Sequence, residues 1–554
     1  MALSNFAPYR LPPGSLPDEA QRLSAAAGAE PLLAAPDEPL PARLVGEALA
    51  LVPAGRAQGL DEACRAADGS PSGSRAAMRP CLVSERHRAR VAESVTAALT
   101  AGYAGVCLDR PDAPLAEGTF GAGFCPDCQR AFSKALTREY GDHFQPLDYL
   151  ALAREAVAQA PGAVGFEQLP FGRDFWRFRT DSLDRALTAH ARTARDLARA
   201  AGKAFAVTAQ FEAAGPAQLH ASRHLDAAVF PAQLPGASTG VGAFRLLRAV
   251  MGRRPCGAAV GAQLPQASLA RVAAVGAACG VEVVASDPLE VAAAGLGSVR
   301  HFARALSRRD GEAWPEPVIE CAVLYSAESD LWSGGAHREQ VERAGEALAA
   351  LHAQAPVVTR VEDAPAGAVL VLAGATALAP QDAAELSRRV EAGGLALVLG
   401  ALGAVDGAGR PAEPPLPPGK PAGARVGKGT VAALPALPAP RAPGDAAGLE
   451  PLAKALNVLL GKGRRAASAF GRAPLLVVLQ RVEERLDVHL VTLGSGPAQG
   501  TTLFLGHQVA GTARWGRFQS AAGAEEKIGM NPAGYSISTV LPAFQGYAVL
   551  SIAR

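Results

Sequence analysis

The chain has 554 residues, 49% of them hydrophobic, 19% charged and only 5% aromatic. That length exceeds what one hydrophobic core can serve, so two to four domains are expected. A net charge of +2 excludes the strong basic field of a nucleic-acid or membrane-surface binder.

Residues 1–30 are rich in Pro, Ala and Gly and are read as an irregular lead-in. Met1–Phe6 lacks the basic-then-apolar pattern of a signal peptide, and no run of about 18 apolar residues suggests a membrane span. A cytoplasmic protein is the expectation. Short apolar runs follow, alternating with helical patterns. The strand candidates are Pro31–Ala35, Ala48–Val52, Pro80–Val83, Gly105–Asp109, Ala204–Ala209, Ala227–Phe230, Gly257–Ala262 and Val281–Ser286. One helical stripe carries Val91, Val95, Ala98 and Leu99 and stops at Gly102. Another carries Phe175, Phe178, Leu183, Leu187, Ala191, Ala194 and Leu197 and stops at Gly202. Both glycines stand where a left-handed cap is wanted. Eight strand–helix units predict a (β/α)8 TIM barrel over residues 31–316, with a doubly wound open sheet as the alternative.

A second unit, residues 317–465, opens on the strand-like Val318–Tyr325. It continues through a helix with Val341, Ala344, Leu348 and Leu351 on one face, then strands at Ala368–Leu372 and Leu395–Leu399. The pattern is that of a small flavodoxin-like α/β domain. Residues 403–424 read as an extended loop, and Val426–Leu434 as a hairpin or final strand. Residues 466–554 form the last unit, in which the period changes from about Pro474. Leu486, Val488 and Leu490 alternate with Asp487 and His489, as in a half-buried strand, and a small C-terminal antiparallel β-sandwich is expected.

The active face of a barrel lies at the C-terminal ends of its strands, which makes the polar residues there candidates. They are Glu85, Asp109, Gln210, Glu212, Gln233, Gln263 and Asp287. Asp109 is the first choice, because a buried apolar run, Gly105–Leu108, delivers a carboxylate to the mouth. Its alternative is an ion pair with Arg110. Glu212 is the partner carboxylate, or else Asp287, which has the alternative role of capping the next helix. Glu85, beside Arg86 and His87, either contacts substrate or opens the following helix, where a carboxylate suits the dipole. Trp176 is either a sugar platform or part of a core stripe with Phe175 and Phe178. The candidate set is therefore Asp109, Glu212 and Asp287 for catalysis and Glu85, Arg110, Trp176, Gln210 and Gln263 for substrate binding.

All eight cysteines read as reduced thiols rather than a disulfide framework. Cys125 and Cys128 form a single Cys-x-x-Cys, half of the four ligands that a structural zinc site needs. A helix-opening turn is favoured over zinc there, and zinc over redox chemistry. No metal is assigned and no cofactor is expected. Gly427-Lys428-Gly429 lacks the remaining residues of a phosphate loop. No cysteine follows Ala368–Leu372, so an amidotransferase nucleophile is missing as well.

In this order, several motifs together resemble the family 42 β-galactosidases and related glycoside-hydrolase-like proteins. They are Gly105–Pro111, Phe124–Phe132, Asp174–Arg179, Ala322–Ser326, Glu391–Gly400, Gly427–Gly429 and Val488–Val491. The resemblance runs from about Pro80 to the end. It implies a catalytic barrel, a flavodoxin-like trimerisation domain, a small C-terminal β domain and a carbohydrate substrate or ligand. It also implies a homo-oligomer, and a cysteine cluster that binds zinc, which Cys81 or Cys107 would complete here. One departure stands out. The family places an Asn-Glu pair after the fourth strand and a second Glu after the seventh. Here those positions read Asp109-Arg110 and Gly261-Ala262-Gln263. The resemblance thus leaves two readings: a glycosidase using other carboxylates, or an inactive glycan-binding or scaffold protein.

Overall fold

The computed structural model describes residues 9–10, 32–34, 48–74, 77–115, 122–141, 148–159, 170–232, 234, 238–260, 266–285, 296–310, 314–406, 411–417, 419–421, 423–461 and 465–553. These fall into two compact units divided between residues 231 and 232.

The first unit holds six parallel strands: β1 (Tyr9–Arg10), β2 (Leu32–Ala34), β3 (Leu49–Val52), β4 (Gly105–Asp109), β5 (Ala206–Gln210) and β6 (Ala227–Pro231). The second unit contributes two more parallel strands, β7 (Cys256–Val260) and β8 (Glu282–Ala285). These are the eight strands of a (β/α)8 barrel. Strands of this kind are covered on both faces and read as continuous apolar runs. Accordingly Val106, Cys107 and Leu108 are fully buried while Asp109, at the open end, is only partly so.

Two sequence expectations change. Pro80–Val83 is not a strand. Pro80 makes one isolated bridge to Ala63, and Cys81 turns into a cluster of thiols and aromatic rings. The missing strand is β1, whose Tyr9 and Arg10 pair with Leu32 and Leu33 inside the stretch read as a lead-in. Two residues are too few to show a period, so the sequence gives no sign of it. The helix Glu85–Ala101 forms as expected. The Ser84 hydroxyl accepts from the His87 N–H, and Gly102 closes the helix at φ +89°. The helix Gly172–Ala200 buries Phe175, Phe178, Leu183, Leu187, Ala191 and Ala194. Its first turns pack with Phe124, Phe132 and Tyr149 into an aromatic core between β4 and β5.

In the second unit, the helix Val241–Met251 lies against the helix Ala336–Ala350. A five-stranded parallel sheet, in the order Val357–Val358, Cys321–Leu324, Val369–Ala373, Leu395–Leu399, Gly429–Leu434, ends in the antiparallel strand Ala424–Val426. This is the doubly wound, flavodoxin-like order. Two antiparallel sheets of six and four strands then enclose one apolar core that includes Leu486, Val488, Leu490, Leu503, Phe518 and Leu550. The first sheet begins with Glu316–Pro317, paired to Gln480 and Arg481. No described helix is long and apolar enough to cross a membrane.

Candidate functional site

The site is built where β3, β4 and β5 end. Asp109 is the last residue of β4 and stands in register with Gln210, the last of β5. Beyond them the chain turns at Arg110, whose φ of +47° is a left-handed conformation that non-glycine residues adopt at a cost. The turn is held from two sides. The Arg110 N–H donates to the Gln210 carbonyl at 2.8 Å, and the Arg110 carbonyl accepts from Ala113 at 3.0 Å. After β3, the Gly55 N–H donates to the Asp109 carbonyl at 2.8 Å. A Cβ on Gly55 would lie 2.1 Å from the Arg110 carbonyl oxygen, so this close crossing of two loops requires glycine.

A small hairpin, Gly73–Ser74 with Ala77–Met78, projects from the loop between β3 and the next helix. It joins Gly55, Arg56, Arg79 and Arg110 in lining a cleft of about 440 Å³. The loop beneath is fastened by buried charge. The Arg90 guanidinium donates to Glu62 Oε2 at 3.0 Å and to the Arg56 carbonyl at 2.5 Å, and the Gln58 N–H donates to the same Glu62 oxygen at 3.1 Å. Burial lowers the pKa of the neighbouring His87 and His190 to about 3 and about 4, so both imidazoles are neutral.

The sequence candidates separate clearly. Asp109 reaches the rim, and its Oδ1 lies 3.6 Å from Arg110 Nε. Arg110 lines the cleft, and Gln210 stands beside Asp109 at the strand end. Glu212 also reaches the rim, but Arg79 grips it through two guanidinium nitrogens at 2.5 and 3.1 Å. Glu85 does not end a strand; it is an exposed residue in the first turn of a helix, where its charge meets the helix dipole. Trp176 is half-buried on the helix Gly172–Ala200, with the Arg179 guanidinium 5.9 Å from its ring centre, and is not among the residues lining the cleft. Gln233, Gln263 and Asp287 lie outside the described residues.

One carboxyl escapes the sequence reading. Asp112 is fully buried behind the rim, and burial raises its pKa to about 6. Its Oδ1 accepts from the Glu212 N–H at 2.9 Å, and its Oδ2 from the Ala213 N–H and Gln218 Nε2, both at 3.0 Å. It clamps the loop after β5 and thereby sets the backbone of Glu212. The Asp-Arg-Pro-Asp run carries the only hint, a second acid following a strand-end proline.

The cysteines form the other constellation. Cys125 caps the helix Pro126–Tyr140 and Cys128 lies in its first turn, so the helix-opening role is present. The fold adds Cys64 and Cys81, whose sequence distance hides them; Cys107 stays within β4. The four buried sulfurs lie within 4.8 Å of one another, with separations of 4.0 Å (Cys64–Cys125), 3.9 Å (Cys64–Cys128), 3.5 Å (Cys81–Cys128) and 3.3 Å (Cys81–Cys125). A zinc ion with four thiolates at about 2.3 Å places its sulfurs about 3.8 Å apart. The donor set therefore fits a tetrahedral metal, where the sequence alone leads to no metal being assigned. Shared thiol hydrogen bonds favour the thiolate at Cys125 and push Cys81 and Cys128 up, with burial adding to the rise. The cluster is wired to the cleft, because the Cys64 N–H donates to the Arg79 carbonyl at 2.9 Å.

No protein-family model matches the chain, and no curated protein matches it. Solved structures do. A β-galactosidase from Rahnella sp. R3 aligns over 99% of this chain and 98% of its own, at TM-score 0.66 and 13% identity. A family 42 β-galactosidase from G. stearothermophilus, solved as a catalytic mutant, aligns over the same shares at 0.67 and 14%. An α-L-fucosidase isoenzyme from Paenibacillus thiaminolyticus aligns over 99% of both chains at 0.64 and 12%. The chain thus has the fold of the family 42 β-galactosidases from end to end.

Proposed function

We propose that this protein is a glycoside-hydrolase-like protein that engages an oligo- or polysaccharide at the C-terminal rim of its barrel, with Asp109 as a catalytic carboxylate. The observation that carries the reading is the delivery of Asp109 to the end of β4, beside a cleft built from the loops after β3 and β4. That rim is where barrels do chemistry. The fold's likeness to glycosidases adds analogy only.

Glycosidic cleavage uses one carboxyl to protonate the leaving oxygen and a second to attack the anomeric carbon or activate water. Asp109 supplies one of the two. Glu212 supplies the other once substrate draws Arg79 away from it, and Asp287 is the alternative. A second reading, glycan binding without hydrolysis, is favoured by the Arg79–Glu212 pair, which engages both oxygens of the proposed partner carboxylate.

Turnover of aryl glycosides and polysaccharides by the wild type and Asp109→Asn separates the two. Hydrolysis is expected, with kcat/KM falling at least about 10³-fold in the variant while calorimetric binding persists. Undiminished turnover would remove Asp109 from the mechanism. Binding without any turnover by wild type selects the second reading.

The four thiols are proposed to hold a structural zinc ion, which would tie the loop carrying Arg79 to the helix Pro126–Tyr140. Self-association through the flavodoxin-like domain is part of the proposal, on fold analogy. A monomer by light scattering would end it.

A further inference from the structure

We infer that the outer face of the four-stranded sheet in the C-terminal β-sandwich binds a neutral oligosaccharide. None of the rim residues takes part, so the inference stands apart from the reading of Asp109.

The sheet runs in the order Ala467–Phe470, Thr502–Gly506, Ser536–Val540, Asn531–Ala533. One side of it is core, where Ala467, Leu503, Leu505 and Ile537 are buried. The alternate residues face outward. Register places Phe470, Thr502 and Val540 in one row of that side, and Ser468, Phe504 and Ser538 in the next. Asn531 lies beside Ser538 on the edge strand. Phe470 is 64% and Val540 63% exposed, and the half-buried Phe504 ring meets Phe470 edge to face at 5.7 Å. Two aromatic rings and a valine thus stand among hydroxyls on a solvent-facing sheet.

None of the four strands carries a charged residue. An exposed sheet is ordinarily kept soluble and unpaired by charge. The strands Trp515–Ser520 and Glu525–Gly529 of the six-stranded sheet follow that rule, with Arg517, Glu525, Glu526 and Lys527. An uncharged face suits an uncharged partner. At about 4.8 Å per strand and about 3.4 Å per residue, the four strands present roughly 300 Å². A stable protein interface takes about 800 Å² per partner and is depleted in serine. The face is thus too small and too rich in hydroxyls for a second copy or another protein. A neutral sugar fits it. The C–H face of a pyranose ring is drawn to the negative face of an aromatic ring. Its hydroxyls are matched by the side chains of Ser468, Thr502 and Asn531, which make no hydrogen bond among the described residues.

The test is a fluorescence titration of the full chain carrying Phe470→Trp, whose indole reports from the face itself. The wild type, with its four native tryptophans, is the blank. The probes are galactotetraose, cellotetraose, xylotetraose and the acidic tetragalacturonate. At least one neutral tetraose is expected to shift the emission to the blue, saturably and beyond any change in the wild type. Adding Phe504→Ala is expected to weaken that binding about tenfold, with the circular dichroism of the folded chain retained. No shift with any neutral tetraose, or binding indifferent to Phe504→Ala, overturns the inference. So does tetragalacturonate binding at least as tightly, which denies the preference for an uncharged ligand. A blue shift without sugar that grows with protein concentration, with a matching rise in mass by light scattering, marks a second copy on the face and overturns it as well.

Discussion

Asp112 shows what burial does to one carboxyl. Its pKa in the folded chain is about 6, against 3.8 for a free group, because desolvation outweighs the hydrogen bonds that favour its anion. Between those two pH values the unfolded chain has released a proton that the folded chain keeps. The group's contribution to stability is therefore fully present below about pH 4 and declines as pH rises to about 6, by about 3 kcal/mol at 1.36 kcal/mol per unit. Asp112→Asn removes that slope. It also turns an amide N–H₂ toward backbone donors, a pH-independent cost of about 1–3 kcal/mol. Urea unfolding of both proteins from pH 4 to 7 checks this: the stability difference between them should shift in the variant's favour as pH rises through 6. Parallel profiles would show that Asp112 does not titrate in this window. Asp109, in contrast, is legible in sequence, because an apolar run ending in an acid is itself the signature of a strand end. Asp112 is not, because its partners Glu212, Ala213 and Gln218 are about a hundred residues away.

At the scale of elements, the loop after β3 does the most. It carries Arg56, the hairpin and Arg79 into the cleft, yet it contains little regular structure to hold it. Its anchors are the Arg90–Glu62 pair and the four thiols. If the thiols hold zinc, purified protein should contain about one zinc per chain by elemental analysis. Chelation should then lower the thermal midpoint by roughly 5–10 °C, since binding energy of a site absent from the unfolded chain is folding energy. Cys64→Ser should lose the metal too. A metal-free chain from zinc-supplemented cells, with a melting point indifferent to chelator, would dismiss the centre. The spacing of Cys125 and Cys128 places one pair at the start of a helix. It says nothing of Cys64, 61 residues earlier than Cys125, because a long loop can bring its ends to many places.

Over the whole molecule, one compact unit takes in the chain from residue 232 onward. The helix Val241–Met251, a barrel helix by chain order, packs on the helix Ala336–Ala350 of the flavodoxin-like region. A Cβ on Gly242 would lie 2.1 Å from the Glu342 carbonyl oxygen. Glu346 accepts from the Thr239 N–H at 3.0 Å and from the Thr239 and Ser238 hydroxyls at 2.6 and 2.8 Å. A chain ending at residue 316 loses all of this and exposes a glycine-lined helix face. It is expected to aggregate or to unfold without cooperativity, as judged by size-exclusion chromatography and circular dichroism. A soluble monomer melting like the full chain would show that the barrel stands alone.

The amino-acid sequence alone determines the type and order of the longer, periodic elements, though not the two-residue strand β1 or the irregular run Pro80–Val83. Burial on one helix face or on both faces of a strand is written in residue periodicity, which acts over a few neighbours. The limits of β4, the stripe from Phe175 to Leu197 and the parallel strands of the flavodoxin-like sheet are legible for that reason. Tertiary structure decides which loops meet at the rim: Gly55 against Arg110, Arg79 on Glu212, Asp112 under Glu212, Cys64 beside Cys128. Those contacts depend on how strand ends are staggered and how far an irregular loop reaches, and neither leaves a period in the chain.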